Sequence, residues 1–285
     1  MPISILCAGG GARGIIQFGM LKAFKDLGLD YSIVYGSSVG ALNAALYHQG
    51  DMDLLEHIWM TITNDQVYTF NPFMLWKLYT SEAGVYDSTP LFNLIKKNID
   101  LVKLYTNPRK FVINTTDFST WEGYSLELSQ LNAAEVTTFI RASASPPIAF
   151  PPVQFRNQTL VDAGVVTNFS INQAINDEND NLIIFTPTVK EAKPIKNMID
   201  VLNLMLAVPE YCYLPLQLGY VADRNEIVKA GITCLPPKYK EIKIVLVEPD
   251  KPTGIDLLDF NYKTDRKELI KYGYDLAYDI LSKAF

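Results

Sequence analysis

Short, nearly unbroken apolar runs alternate along this chain with stretches of helical spacing. Ile3 to Ala8 is one such run, as expected of a strand buried on both faces. After a cluster of glycines, Gly14 to Leu27 places Ile16, Met20, Ala23, Phe24 and Leu27 on one side of a helix. Tyr31 to Tyr35 reads as a second strand, followed by a turn at Gly36 and a helix of small residues through Leu46. Asp51 to Pro108 is rich in aromatics and mostly helical in pattern. Beyond it the pattern predicts a strand over Lys110 to Thr116 and a helix over Ala133 to Ala142. Val153 to Val161 reads as a hairpin with Arg156-Asn157-Gln158 at its tip. Two further strands, Asn181 to Thr186 and Glu241 to Val247, precede a final helix over Asp265 to Phe285. That helix is expected to turn Leu269, Gly273, Leu276 and Ile280 inward. Strands and helices in this alternation imply an α/β fold with a parallel sheet.

Composition sharpens this picture. The chain has 285 residues, 48% of them hydrophobic and 20% charged, enough for a large core. Proline and glycine are spread evenly with no linker, so one domain is expected. The formal charge of -6 argues against nucleic acid as a partner, because binding there is driven by a basic excess. It also argues against strong electrostatic attachment to anionic lipid. The apolar opening is too short for a signal segment, and no run approaches the roughly 18 residues of a membrane span. A cytoplasmic protein, at most peripheral at membranes, is the expectation. Cys7, Cys212 and Cys234 are odd in number and far apart, which suggests a reducing compartment rather than a disulfide framework. Val201 to Val221 is rich in leucine and tyrosine. Core packing is the ordinary reading of such a stretch, and docking on a bilayer is the alternative.

Three local motifs carry chemistry. Gly9-Gly10-Gly11-Ala12-Arg13-Gly14 lies between a strand and a helix, where converging N–H groups and a helix N-terminus make a site for an anion. Gly9, Gly11 and Gly14 also satisfy GxGxxG, the dinucleotide fingerprint. That fold needs an acid at the end of the second strand, whereas Asp30 precedes it and the strand runs into Gly36-Ser37-Ser38. The pattern is present and its context is absent. The second motif, Gly36-Ser37-Ser38-Val39-Gly40, is a GxSxG between a strand and a helix, with Ser38 in frame and Ser37 out of it. A serine-rich turn capping a helix is the plain alternative.

A serine hydroxyl needs a base to attack an ester. Only two histidines exist, His48 and His57, and the late histidine of a Ser-His-Asp triad has no counterpart here. The third motif offers another base. Leu160-Val161-Asp162-Ala163-Gly164 ends a strand in a tight turn. Burial of that carboxylate beside the serine would raise its pKa and let it accept the hydroxyl proton. A turn carboxylate satisfied by backbone N–H groups is the alternative.

Taken in order, GGGxRG, GxSxG and the aspartate turn resemble the motifs of the patatin-like phospholipase family, lipid acyl hydrolases with a Ser-Asp dyad. The resemblance covers residues 1–176, including Phe150-Pro151-Pro152-Val153 and Asn168, and the final helix with Gly273-Tyr274 is similar to the family's C-terminal helix. It implies a three-layer α/β sandwich around a central, mostly parallel sheet, as a single acyl hydrolase domain over residues 1–285. It implies Ser38 as nucleophile and Asp162 as base. Backbone N–H groups of Gly9, Gly10 and Gly11 would form the oxyanion hole, with Arg13 nearby bracing the loop. Neither metal nor cofactor is implied. The substrate would be a phospholipid or another fatty acyl ester, cleaved as by a phospholipase A or lysophospholipase, with transient contact at a membrane surface. Acyl transfer or esterase action on other lipids, or a weakly active scaffold binding lipid or a partner, remain as alternatives. One departure is visible: the family's turn usually reads Asp-Gly-Gly or Asp-Gly-Ala, and here Ala163 stands in the middle. A positive φ at alanine costs about 1 kcal/mol or more, so Ala163 is expected at negative φ or in a strained turn.

Overall fold

Strand β1 (Ser4–Cys7) is buried on both faces. Ile5 and Cys7 enter one core cluster, while Leu6 and the following Ala8 enter the other. The computed structural model describes residues 3–70, 84–166, 168–188, 195–196, 200–201, 204, 207–231 and 240–285. In chain order, β1 is followed by α1 (Gly14–Asp26), β2 (Ile33–Ser37), α2 (Val39–His48) and α3 (Met52–Thr61). Next come α4 (Thr89–Asn98), β3 (Lys110–Asp117), β4 (Glu122–Glu127) and α5 (Ala133–Ser143). The hairpin β5 (Val153–Phe155) and β6 (Gln158–Val161) precedes α6 (Ile171–Asn176), β7 (Asn181–Phe185), α7 (Leu214–Lys229), β8 (Lys243–Val247) and α8 (Arg266–Ala284).

These strands form an eight-stranded sheet in the order β8-β7-β1-β2-β3-β6-β5, with β4 also paired to β3, and Thr69–Phe70 pairs with Tyr86–Asp87 in a separate two-stranded sheet. From β8 through β3 the pairing is parallel, whereas β4, β6 and β5 join antiparallel. Helices α1, α2 and α8 cover one face, and α6 and α7 cover the other, giving three layers. The carboxyl ends of β1 and β2 are in register, Cys7 beside Gly36, so the glycine loop and the GxSxG turn emerge side by side.

Several elements shift from the sequence reading for physical reasons. Pairing with β3 carries β2 on to Ser37, opposite Asn114, while Tyr31 packs its ring on Tyr47 with centroids 5.5 Å apart. On α8 the buried seam is Leu269, Ile270, Gly273, Ala277 and Leu281, and Leu276 and Ile280 are only half-buried. The cause is backbone contact with α1. A Cβ on Gly273 would lie 2.0 Å from the Ile16 carbonyl oxygen, and one on Gly19 would lie 2.1 Å from that of Ile270. Small residues therefore face the crossing. The Val201 to Val221 stretch divides: Leu214 and Val221 are core, whereas Tyr213, Leu216 and Tyr220 are exposed. Residues 202, 203, 205 and 206 of that stretch, 71–83 of the aromatic region, and Cys234 lie outside the described residues. Cys7 is buried and Cys212 exposed.

Candidate active site

Ser38 sits at the turn from β2 into α2 with φ 54° and ψ −128°. A non-glycine residue there stores about 1–3 kcal/mol of strain. The two flanking glycines permit the turn because nothing larger fits. A Cβ on Gly36 would meet Ala41 Cα at 2.5 Å, and one on Gly40 would meet the Cys7 carbonyl oxygen at 2.1 Å. The Ser38 N–H donates to Ser143 Oγ at 2.9 Å, at the end of α5. That helix is fixed at its start by a capping box between Asn132 and Glu135.

The Ser38 hydroxyl donates to Asp162 Oδ2 at 2.7 Å. The other carboxylate oxygen, Oδ1, accepts the Gly164 N–H at 2.8 Å, and the Asp162 N–H donates to the Ser145 carbonyl at 2.9 Å. Ala163 begins a single 3₁₀ turn and has negative φ, so its side chain brings no backbone strain to the aspartate. Asp162 is 2% exposed. Burial pushes its carboxyl up from 3.8 to about 7, against the opposing hydrogen bonds from Gly164 and Ser38. The carboxyl is thereby a far better proton acceptor than a solvated aspartate.

The glycine loop is held from several sides. The Gly9 N–H donates to Asn168 Oδ1 at 2.6 Å. This bond engages the Gly9 N–H within the fold. The Arg13 N–H donates to the Gly10 carbonyl and its Nε to the Ile255 carbonyl at 2.9 Å, which braces the loop. The Ala12 N–H donates to the Leu257 carbonyl at 2.8 Å, and Gly11 takes φ +54° where a Cβ would lie 2.0 Å from that same oxygen. Among the described residues, the N–H groups of Gly10 and Gly11 have no acceptor. Ser143 and Asn168 are the supports that motif reading left without a role.

Two spaces meet at Ser38. One, of about 490 Å³, is lined by Gly9, Gly10, Gly11, Asp162, Gly164 and Asn168. The other is an apolar channel of about 790 Å³, its open mouth included. Leu42 and Leu46 of α2, Leu55 and Trp59 of α3, and Leu91 and Ile95 of α4 form much of its wall. Neither histidine reaches these spaces. His48 closes the far end of α2 against Phe111, with Nδ1 3.1 Å from Tyr31 Oη, and burial pushes its imidazole down to about 4. His57 is exposed on α3. Among the described residues no group of three or more His, Cys, Asp or Glu side chains could hold a metal ion. No helix among them is long and apolar enough to cross a membrane.

Comparison with known proteins places this chain in a family. A lysophospholipase, nte1, of Aspergillus terreus is 26% identical over an alignment covering 99% of this chain and 18% of that protein. An uncharacterized NTE family protein of Mycobacterium bovis is 22% identical, over 68% of this chain and 51% of its own length. The chain thus spans between about a fifth and half the length of these curated relatives. VipD from Legionella pneumophila superposes with a TM-score of 0.48 at 13% identity, covering 99% of this chain and 66% of that one. The family profile for patatin-like phospholipase matches residues 5–175, which take in the glycine loop, the GxSxG turn and the aspartate turn. By that match over more than half its length, the chain belongs to the patatin-like phospholipase family.

Proposed function

We propose that this chain is one acyl hydrolase domain that cleaves fatty acyl esters of the lysophospholipid type through a Ser38–Asp162 dyad. The observation that carries this reading is the 2.7 Å hydrogen bond from Ser38 Oγ to a buried carboxylate at the mouth of an apolar channel. Ser38 Oγ bonds to the ester carbonyl carbon as its proton passes to Asp162. The Gly10 and Gly11 N–H groups receive the oxyanion, each worth about 3 kcal/mol by analogy with known donors. Collapse of the tetrahedral species breaks the ester C–O bond, and the proton moves from Asp162 to the leaving oxygen. Water, deprotonated by Asp162, then attacks the acyl-enzyme, and the fatty acid leaves with Ser38 restored.

The apolar walls beside Ser38 suit an acyl chain. The lysophospholipase named among the relatives points to a monoacyl lipid as the substrate. Ala207 lines the smaller space, and the exposed Val208, Tyr213, Leu216 and Tyr220 follow it, which supports transient contact with a lipid surface during substrate capture. The test is fatty acid release from a monoacyl and a diacyl phospholipid of matched chain. Release from the monoacyl lipid should be at least about tenfold faster, a difference of about 1.4 kcal/mol in barrier. Equal rates, a faster diacyl reaction or no release would overturn the proposal.

A further inference from the structure

Behind the glycine loop lies a buried chain of side-chain amides that the dyad mechanism does not use. Gln17 of α1 and Asn43 of α2 are both fully buried. Gln17 Nε2 donates to the carbonyls of Ala8 at 2.9 Å and Phe185 at 2.8 Å. Its Oε1 accepts from Asn43 Nδ2 at 2.9 Å, and the same Nδ2 donates to the Gly14 carbonyl at 3.0 Å. Asn43 Oδ1 accepts from Trp59 Nε1 at 2.9 Å. The carboxamide hydrogens and oxygens are thus all engaged by protein, with an indole from the channel wall closing the series.

Two of the three carbonyls engaged bracket the loop. Ala8 precedes Gly9, and Gly14 follows Arg13 as the first residue of α1. Between them the loop is mostly glycine and has little side-chain packing of its own to fix its shape. The indole also presses on Gly14, where a Cβ would meet Trp59 Cζ2 at 2.8 Å. Asn43 shares α2 with the turn that carries Ser38, so one residue registers the nucleophile helix against the loop.

Building on the dyad reading, we propose that Gln17 and Asn43 are positioning residues for the oxyanion hole. They clamp both ends of the glycine loop and so hold the Gly10 and Gly11 N–H groups at the depth that the oxyanion requires. Trp59 completes the clamp from the acyl channel. A satisfied carboxamide pair in an interior of low dielectric is rigid and costly to replace, which suits a part whose task is alignment.

The test uses the full chain with an oxygen ester and the matching thionoester, whose larger, weaker acceptor sulfur takes the place of the carbonyl oxygen. Asn43→Asp keeps the oxygen facing Trp59 and offers at most one proton where the carboxamide offers two. Trp59→Phe leaves Asn43 in place, removes its indole donor and trims the channel wall by the same amount for both esters. The clamp predicts that Asn43→Asp lowers kcat on the oxygen ester by about 10- to 100-fold with KM changed less than about threefold, the pattern of an interaction lost in the transition state. The preference for oxygen over sulfur should fall at least about fivefold, because loosened donors no longer discriminate. Trp59→Phe should shift the preference in the same direction by a smaller factor. A merely structural role would lower activity on both esters equally. If the preference stays at the wild-type value in both variants, the clamp is refuted while the dyad stands. If Asn43→Asp fails to fold, an unchanged preference in Trp59→Phe alone refutes it. A wild type inactive on both esters refutes the hydrolase reading itself, and the clamp with it.

Discussion

Replacing Asp162 by asparagine should lower activity and raise stability together, and both magnitudes follow from the site. The carboxylate accepts from Ser38 at 2.7 Å and from Gly164 at 2.8 Å. An asparagine of the same shape can face only one of these donors with its oxygen. Facing Gly164 avoids a clash of two N–H donors and turns the amide NH2 toward Ser38, which then has no base. Loss of general-base action costs about 10²- to 10⁴-fold in kcat. The stability change has the opposite sign. Because burial raises the Asp162 pKa from 3.8 to about 7, the folded state holds its proton where the unfolded state has lost it. The native protein is therefore at its best below about pH 4 as far as this group is concerned, and it loses stability until the pH passes about 7. Between pH 5 and pH 8 that loss is about 3 kcal/mol, at about 1.4 kcal/mol per pH unit over the remaining rise to about 7. The asparagine does not titrate, so Asp162→Asn should gain about 3 kcal/mol on wild type over the same interval. With an unfolding entropy of about 0.6 kcal/mol/K for a chain of this length, the gain is about 5 °C in Tm. Ester hydrolysis and paired thermal melts at the two pH values measure both effects. Activity above a tenth of wild type, or a Tm difference that does not widen toward pH 8, would refute the reasoning.

In wild type, kcat/KM should climb through about pH 7 as Asp162 loses its proton and then level off; a profile flat from pH 5 to pH 8 would exclude Asp162 as the base. Leu46→Trp should raise KM for long-chain esters and leave medium-chain ones unchanged. Leu46 lies about 12 Å along α2 from Ser38 at about 1.5 Å per residue. An extended chain reaches that level after about ten carbons, at about 1.25 Å per carbon for single bonds near the tetrahedral angle. His57→Ala should keep kcat within about twofold of wild type, since the exposed imidazole lines neither space at Ser38; a loss above about tenfold, or about 1.4 kcal/mol, would reopen a histidine mechanism.

What could be read from the residues was whatever is local. The glycine loop, the GxSxG turn and the aspartate turn each announce themselves in a handful of consecutive residues, and each falls at a strand end as expected. On α8 apolar size points to Leu276 and Ile280, whereas the crossing with α1 is so close that Ala277 joins Gly273 in facing it. The antiparallel β4 and the helix α7 are not legible in the sequence for a different reason. Their residues carry no clean period, and they are fixed by pairing with β3 and by packing on the sheet. Asn168 and Ser143 belong to the same class. Asn168 lies 159 residues from the Gly9 N–H it accepts, and Ser143 lies 105 residues from Ser38. No spacing rule connects such partners. Gly9 shows the converse limit, since a motif supplies N–H groups without saying which of them the fold has already engaged.

The central claim is that Ser38 is a nucleophile activated by Asp162, and covalent labelling tests it most directly. The folded wild-type chain is treated with a fluorophosphonate bearing an alkyl chain, and the adduct is mapped by mass spectrometry. One adduct on Ser38 is predicted, forming faster above pH 7. It should be absent from Ser38→Ala and slower by about 100-fold or more in Asp162→Asn, the lower range of a general-base contribution. An adduct on another residue, or no adduct in folded wild type, would contradict the account.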